Sequence, residues 1–352
     1  MISPSSSNLP VNPLLEAVLP EAPLLPTGRT VQSLTGRVPV VCDGAGTRFY
    51  CKQDLEQYVQ LTVLAQLGIP VVAPVLAAEG GTFLSREQGR SLSAALGESG
   101  TALRDCRGFA SLGQTLSTIH ASLAGARIES RIEGWISDDA GRTGNICANF
   151  RHRFVARASA AANAFLGSAK LFADGPLREV SRQLRALIER GMSLLAAIER
   201  RSEPAQLIYG DFKPENILFR RCVRSGFADF VLIDPQICRG APAMDLAKFM
   251  SRTLMAADAP RACDLLAAFL EGYGAARAGS GPSVPLLAAL DAANIMSAYL
   301  GRLAKGESGF EQARLFRCPQ SLQRLSLLLE AFNRLPPDES PAAFLRELGH
   351  GC

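Results

Sequence analysis

Hydrophobic and polar residues follow two different rhythms along this chain. Between Thr30 and Arg86 the apolar residues come in short β-prone runs: Thr30–Thr35, Val38–Cys42, Arg48–Lys52, Val71–Ala77 and Gly81–Arg86. Asp43-Gly44-Ala45-Gly46 supplies hairpin turn chemistry between the second and third. One helix interrupts the series. Over residues 54–67, Leu55, Val59, Val63 and Leu67 recur near one helical face, and Gly68 stands where a helix-ending glycine belongs. After Gly89 the chain turns helical and rich in Ala and Leu. The spacing predicts helices over 91–97, 108–123, 150–166, 176–200, 243–256, 260–277, 284–304 and 319–332. One stretch breaks this helical half: the apolar runs Asn216–Phe219 and Phe230–Ile233 predict a hairpin with polar residues at its edges. Residues 1–28, with six prolines, read as an N-terminal arm or tail. The expected class is α+β: a small β-rich lobe over 29–88 and a large, mainly helical lobe over 89–352.

Composition narrows the function. The chain has 352 residues, a net charge of +4, 47% hydrophobic and 20% charged residues, which is ordinary for a globular protein. The charge forms no basic stripe, so nucleic acid is not an expected partner. No apolar run reaches the roughly 18–20 residues of a membrane helix. The longest candidate, Ile69–Ala78, carries Pro70 and Pro74. The N-terminus lacks the basic and apolar regions of a signal peptide. Nine cysteines are scattered without a CxxC pair or a Cys/His cluster, so neither a disulfide framework nor a zinc site is expected. A reduced, cytoplasmic protein is the expectation. No cysteine has an adjacent base, and Cys51 reads as a strand-packing residue.

The chemistry concentrates in residues 207–236, LIYGDFKPENILFRRCVRSGFADFVLIDPQ. Asp211 precedes Asn216 by five residues, with Lys213 between them, and Asp234 follows Asn216 by eighteen. A hairpin from Asn216 to Asp234 brings an amide oxygen and a carboxylate together, the hard ligands that Mg²⁺ prefers. Asp211 is then a separate carboxylate close by, placed to accept a proton, with Lys213 as a cation on the same loop. Such a set suits phosphoryl transfer, where positioning and charge neutralisation do most of the work.

GDFKPEN resembles the catalytic loop of the protein kinase-like fold, and IDPQ takes the place of the Asp-Phe-Gly element. Gly210-Asp211, Ile233-Asp234 and then Gly240-Ala-Pro-Ala-Met-Asp245-Leu-Ala are most similar to the aminoglycoside phosphotransferase and choline kinase branch. The strong resemblance covers residues 207–249. A weaker one covers 48–123, with FLSREQGRSL as the interlobe hinge. It implies a bilobal protein kinase-like fold and transfer of the γ-phosphoryl group of ATP, with Mg²⁺, to a hydroxyl of a small-molecule acceptor. Asp211 then resembles the catalytic base, and Asn216 and Asp234 the metal ligands. Lys213 resembles a lysine near the γ-phosphate, and Lys52 the lysine that pairs with the α- and β-phosphates. Arg86, Glu87 and Gln88 resemble the adenine-binding hinge. Glu56 is the helix carboxylate assigned to orient Lys52. Gln60 sits nearer the expected turn but is uncharged. Asp245 resembles the acid that braces the catalytic loop.

The sequence also departs from the family. Tyr209 stands where histidine is usual, and Thr35-Gly36-Arg37 offers one glycine for the phosphate loop. The residues also bear on two other readings. A protein kinase is opposed by Gly210 in place of arginine, by the lack of an Ala-Pro-Glu element, and by the eleven residues from Asp234 to Asp245. A non-catalytic nucleotide-binding module is the other. His120 reads as a packed or capping histidine. His152, among Arg151, Arg153 and Arg157, is either on a solvated helix face or at a site for an acidic acceptor. Trp135, Asp138 and Asp139, in the same inserted stretch, would instead suit a cationic one.

Overall fold

The computed structural model describes residues 25–33, 36–42, 48–72, 74–76, 82–86, 90–97, 105–124, 135–136, 175–200, 206–219, 230–257, 259–274, 283–304 and 319–350. The chain divides into two units, residues 1–58 with 72–87 and residues 59–71 with 88–352.

The first unit is built on an antiparallel sheet of β1 (Leu25–Ser33), β2 (Gly36–Cys42), β3 (Arg48–Gln53), β4 (Pro74–Leu76) and β5 (Thr82–Arg86), in the order β1-β2-β3-β5-β4. β1 begins at Leu25, inside the segment read from its prolines as an arm. Leu25 pairs with Cys42 and Pro26 with Val41, with an irregularity before Thr30. Pro26 is tolerated because β1 is an edge strand, where a missing N–H costs no ladder bond. Central β3 carries Lys52 opposite Phe83 of β5, and Val40 and Phe49 are buried on this sheet.

Helix α1 (Leu55–Gln66) starts in the first unit and ends in the second, where Gly68 at φ 75° closes it. Its buried residues are Gln60, Leu61, Val63 and Leu64, whereas Leu55 is 39% exposed. The face therefore differs from the predicted line through Leu55, Val59, Val63 and Leu67. Fixed polar partners of Gln60 set the rotation: its Nε2 donates to Trp135 O at 2.7 Å, and its Oε1 accepts from Ile237 N at 2.9 Å. A glutamine buried with both ends bonded outweighs an apolar stripe that is weak to begin with.

The second unit continues with β6 (Arg90–Ser91), α2 (Leu92–Leu96), α3 (Cys106–Leu123), α4 (Gly175–Glu199), β7 (Gln206–Ile208), β8 (Ile217–Phe219), β9 (Phe230–Leu232) and β10 (Cys238–Gly240). Helices α5 (Pro242–Ala256), α6 (Ala259–Tyr273), α7 (Val284–Ala304), α8 (Pro319–Arg334) and α9 (Pro341–His350) complete it. The predicted helices agree with these to within a few residues, except 150–166, which lies outside the described residues. The strand predicted over Val71–Ala77 is cut to β4, while Val71 bridges to Leu232 of β9. Strands β6, β7 and β10 were not predicted, because two or three residues carry no periodicity. Helix α9 was missed although Ser340 caps it, accepting from Ala343 N at 3.1 Å.

Helices α3 and α6 approach closely enough that two glycines are required. A Cβ on Gly113 would lie 2.0 Å from Phe269 O, and one on Gly272 2.0 Å from Ala110 O. Among the described residues no helix is long and apolar enough to cross a membrane.

Candidate active site

Two small sheets hold the polar residues of the 207–236 segment. β8 and β9 form the predicted hairpin, with Ile217 opposite Leu232 and Phe219 opposite Phe230, and β6 adds a third strand beside β8. β7 pairs with β10, Ile208 opposite Cys238. The loop between β7 and β8 is thereby anchored at both ends. Further backbone bonds close the far side of the hairpin: Ile233 N donates to Asn216 O at 2.9 Å, and Leu232 N to Pro70 O at 2.7 Å.

Within the loop, Phe212 is 1% exposed. It packs 5.5 Å from Phe249 and 6.2 Å from Phe269, and Tyr209 meets it edge-on at 5.8 Å. Burying such a ring is worth roughly 1.5–3 kcal/mol. The anchored ring leaves the flanking Asp211 and Lys213 to turn toward each other. Gly210 adopts φ 80°, and a Cβ there would lie 1.9 Å from Gln236 O, so no other residue fits. Lys213 is extended and leads into a 3₁₀ turn, Pro214–Asn216, that delivers Asn216 to the start of β8.

Asp211 is the hub. Its Oδ2 accepts from Lys213 Nζ at 2.6 Å and Asn216 Nδ2 at 2.9 Å. Its Oδ1 accepts from Lys248 Nζ at 3.0 Å, and the same ammonium donates to Gly210 O at 2.6 Å. Burial by itself would push the Asp211 carboxyl up. Lys248 and Lys213 outweigh that and hold it well below the usual carboxylate range. Burial lowers the Lys248 ammonium, but the charges of Asp211, Asp291 and Asp245 raise it by more. Asp211 and Lys248 are therefore both charged near neutral pH.

Asn216 Nδ2 also donates to Asp211 O at 3.0 Å and Asp234 O at 3.4 Å. The amide nitrogen is thus engaged three ways. Asp234 is half-buried and sits at φ 52°, the positive value found outside glycine among the described residues. Held strain of this kind is common where a side chain is aimed for function. Among the described residues no cluster of three or more His, Cys, Asp or Glu forms a closed metal site. An amide and a carboxylate suit a cation that takes its other oxygens from phosphate and water, as Mg²⁺ does.

Helix α5 braces the loop. Asp245 is fully buried, and its Oδ2 accepts from Tyr209 N at 2.9 Å, Gly210 N at 3.2 Å and His120 Nε2 at 3.0 Å. His120 Nδ1 lies 2.9 Å from Tyr273 OH. Since a carboxylate only accepts, Nε2 of His120 is the donor in its bond to Asp245. Tyr209 also reaches the end of the β8–β9 hairpin: its hydroxyl donates to Ile233 O at 2.7 Å, next to Asp234. Burial, then the charges of Asp234, Asp211 and Asp245, push that hydroxyl well above its ordinary value, so it remains a donor.

The structure thus brings together Asp211, Lys213 and Asn216, with Asp234 adjacent through its backbone. Lys52, in the first unit, donates to Gln57 Oε1 at 3.0 Å; Glu56, one residue earlier on α1, is half-buried. Arg86 closes β5, while Glu87 and Gln88 lie outside the described residues, as do Asp138, Asp139, His152 and Arg151, Arg153 and Arg157. Gln60 serves the second unit rather than Lys52. Sequence reasoning missed Lys248. Its signal was the Asp245-x-x-Lys248 spacing, which sets both residues on one helical face.

The sequence model of the phosphotransferase enzyme family matches residues 53–283. No curated protein sequence matches the chain at a significant level. Among solved structures, an aminoglycoside phosphotransferase from Alicyclobacillus acidocaldarius is 18% identical, with 99% of this chain and 98% of that chain covered and a TM-score of 0.51. A mutant aminoglycoside 2′-phosphotransferase-IIIa in its GDP complex is 15% identical, covering 91% and 96% at a TM-score of 0.51. A microcompartment-associated aminopropanol kinase is 15% identical, covering 90% and 95% at a TM-score of 0.50. These likenesses give the fold, an α+β protein kinase-like one. With the family match spanning well over half of its 352 residues and the loop, hairpin and helix arranged as described, this chain belongs to the phosphotransferase enzyme family.

Proposed function

We propose that the protein transfers the γ-phosphoryl group of ATP, in a Mg²⁺-dependent reaction, to a hydroxyl of a small molecule. The observation that carries this reading is the convergence of an ionised Asp211 with Lys213 and Asn216 at the mouth of the β8–β9 hairpin. Neighbours in fold support it: one was solved with GDP, and another is named for an amino alcohol acceptor.

In this mechanism Asn216 Oδ1 and the Asp234 carboxylate would hold Mg²⁺, which supplies charge neutralisation to phosphate oxygens. Lys52 pairs with the α- and β-phosphates, and backbone groups of Arg86, Glu87 and Gln88 hold adenine. Asp211 accepts a hydrogen bond from the acceptor hydroxyl and orients its oxygen toward the phosphorus. A strongly acidic Asp211 is a weak base, so it takes the hydroxyl proton late, once the new O–P bond has acidified it. A loose transition state asks for no earlier removal. Lys213 turns from Asp211 to the transferring group as negative charge gathers there.

The test is phosphoryl transfer from Mg-ATP across aminoglycosides, choline and other amino alcohols, amino sugars, sugars and nucleosides, with Asp211→Ala as control. Transfer lost in the variant supports the proposal and names the acceptor class. Undiminished transfer in the variant would refute the role of Asp211. Mg-ATP binding without transfer to any acceptor would favour the non-catalytic module.

A further inference from the structure

The loop lysine, Lys213, is not the sole cation on Asp211. Lys248 comes from helix α5 and reaches the opposite carboxylate oxygen. The two lysines differ in what holds them. Lys213 rides on the same loop as its partner and, among the described residues, makes one bond, to Oδ2. Lys248 makes two, to Asp211 Oδ1 and to Gly210 O, so it spans the carboxylate and the peptide group beside it. Its helix is independently fixed to the same loop three residues earlier, where Asp245 accepts from the amides of Tyr209 and Gly210. Helix α5 therefore grips residues 209–211 by both polarities: Asp245 takes N–H groups, and Lys248 takes the carbonyl and the carboxylate.

Counting lone pairs shows what this does. An ionised carboxylate has about four acceptor sites. Among the described residues Oδ2 uses two, for Lys213 and Asn216, and Oδ1 uses one, for Lys248. The open site is on Oδ1, next to the Lys248 ammonium.

We infer that Lys248 is the positioning residue for Asp211: it pins Oδ1 against the Gly210 carbonyl so that the open lone pair of Oδ1 meets the acceptor hydroxyl, and it keeps the carboxylate in place when Lys213 turns to the phosphoryl group. This rests on the reading of Asp211 given above. A cation on a separate, braced helix can stay while the loop lysine moves. Without it, the Asp211 carboxylate would follow Lys213, or rotate about its side-chain torsion, and the hydroxyl would lose its orienting acceptor.

The experiment compares K248A, K248M, K248R and D211A. Crystal structures give the Asp211 rotamer, Mg-ATP affinity is measured by calorimetry, and turnover is measured with Mg-ATP and water as the acceptor. In K248M, which keeps the volume, the Asp211 carboxylate is expected to rotate away from the Gly210 carbonyl. Turnover should fall by roughly 10²-fold, as for a misplaced reacting group, while KM and Kd for Mg-ATP stay within about twofold. K248R should recover part of the loss, and ethylammonium should restore activity to K248A. An unchanged Asp211 rotamer in K248M, or turnover within threefold of wild type, would overturn the inference. The two readings fail separately. If D211A turns over normally, the role of Asp211 falls; if D211A is inactive and K248M is normal, the role of Lys248 alone falls. Should K248A not fold, K248M and K248R carry the same comparison.

Discussion

Replacing Asp245 by asparagine tests whether one buried carboxylate braces the loop. Asp245 has no exposed surface, and its Oδ2 accepts three bonds, from Tyr209 N, Gly210 N and His120 Nε2. Among the described residues its Oδ1 has no hydrogen-bond partner. An asparagine can keep its oxygen at the Oδ2 place, and its NH₂ then falls at the Oδ1 place. Bonds to a charged group contribute about 1.5–3 kcal/mol each and neutral ones about 0.5–1.5, so three bonds lose roughly 3 kcal/mol. The stranded amide donors add about 1–3 kcal/mol. Asp245→Asn should therefore destabilise by about 4–6 kcal/mol, a large share of the ~5–15 kcal/mol of a typical domain. At about 2 °C per kcal/mol for a unit of this size, the melting temperature should fall by roughly 10 °C. Calorimetry and urea denaturation followed through Trp135 would measure it. His120→Gln keeps a donor for Oδ2 and should cost less, about 1–2 kcal/mol from lost packing and the lost Tyr273 bond. If Asp245→Asn stays within 1 kcal/mol of wild type, the loop is held by packing of Phe212 and not by this carboxylate.

Other perturbations read different parts of the site. Gly210→Ala places a methyl 1.9 Å from Gln236 O at φ 80°; a loss of roughly 3 kcal/mol or more is expected by denaturant titration, with the Gln236–Tyr209 backbone bond broken. Tyr209→Phe strips the donor from Ile233 O and should cost about 1–2 kcal/mol in the same assay. Asp234→Gly should lose the Mg²⁺-dependent part of ATP binding, so the thermal shift on adding Mg-ATP should shrink toward that on adding ATP alone. Asp211→Ala should cut turnover by roughly 10²–10⁴ while calorimetry finds ATP affinity nearly unchanged.

Much of the site is local in sequence, and that is why it could be read. Asp211, Lys213 and Asn216 lie within one loop and turn, and Asp234 is joined to them by a single hairpin whose register follows from two apolar runs. The long helices were legible for the same reason, since periodicity over a dozen or more residues survives tertiary context. Errors arose where a distant partner outweighed a local signal. The prolines before Thr30 suggested an arm, but pairing with β2 makes residues 25–28 strand. The stripe on α1 pointed one way, and the two bonds of Gln60 rotated the helix another.

Spacing along the chain was enough to establish a loop and hairpin carrying two acids, an amide and a lysine, and the helical half that contains them. The brace around that loop belongs to the folded chain alone. His120 and Asp245 are 125 residues apart, His120 and Tyr273 are 153, and Lys248 meets Asp211 across 37. No local rule links such positions. They come together because the glycines at 113 and 272 let α3 and α6 approach closely, and because Phe212, Phe249 and Phe269 seal the loop onto α5 and α6. Packing of apolar surface is non-directional and draws these elements together, and the buried hydrogen bonds, costly if left unmade, then select the one arrangement in which each donor finds its acceptor.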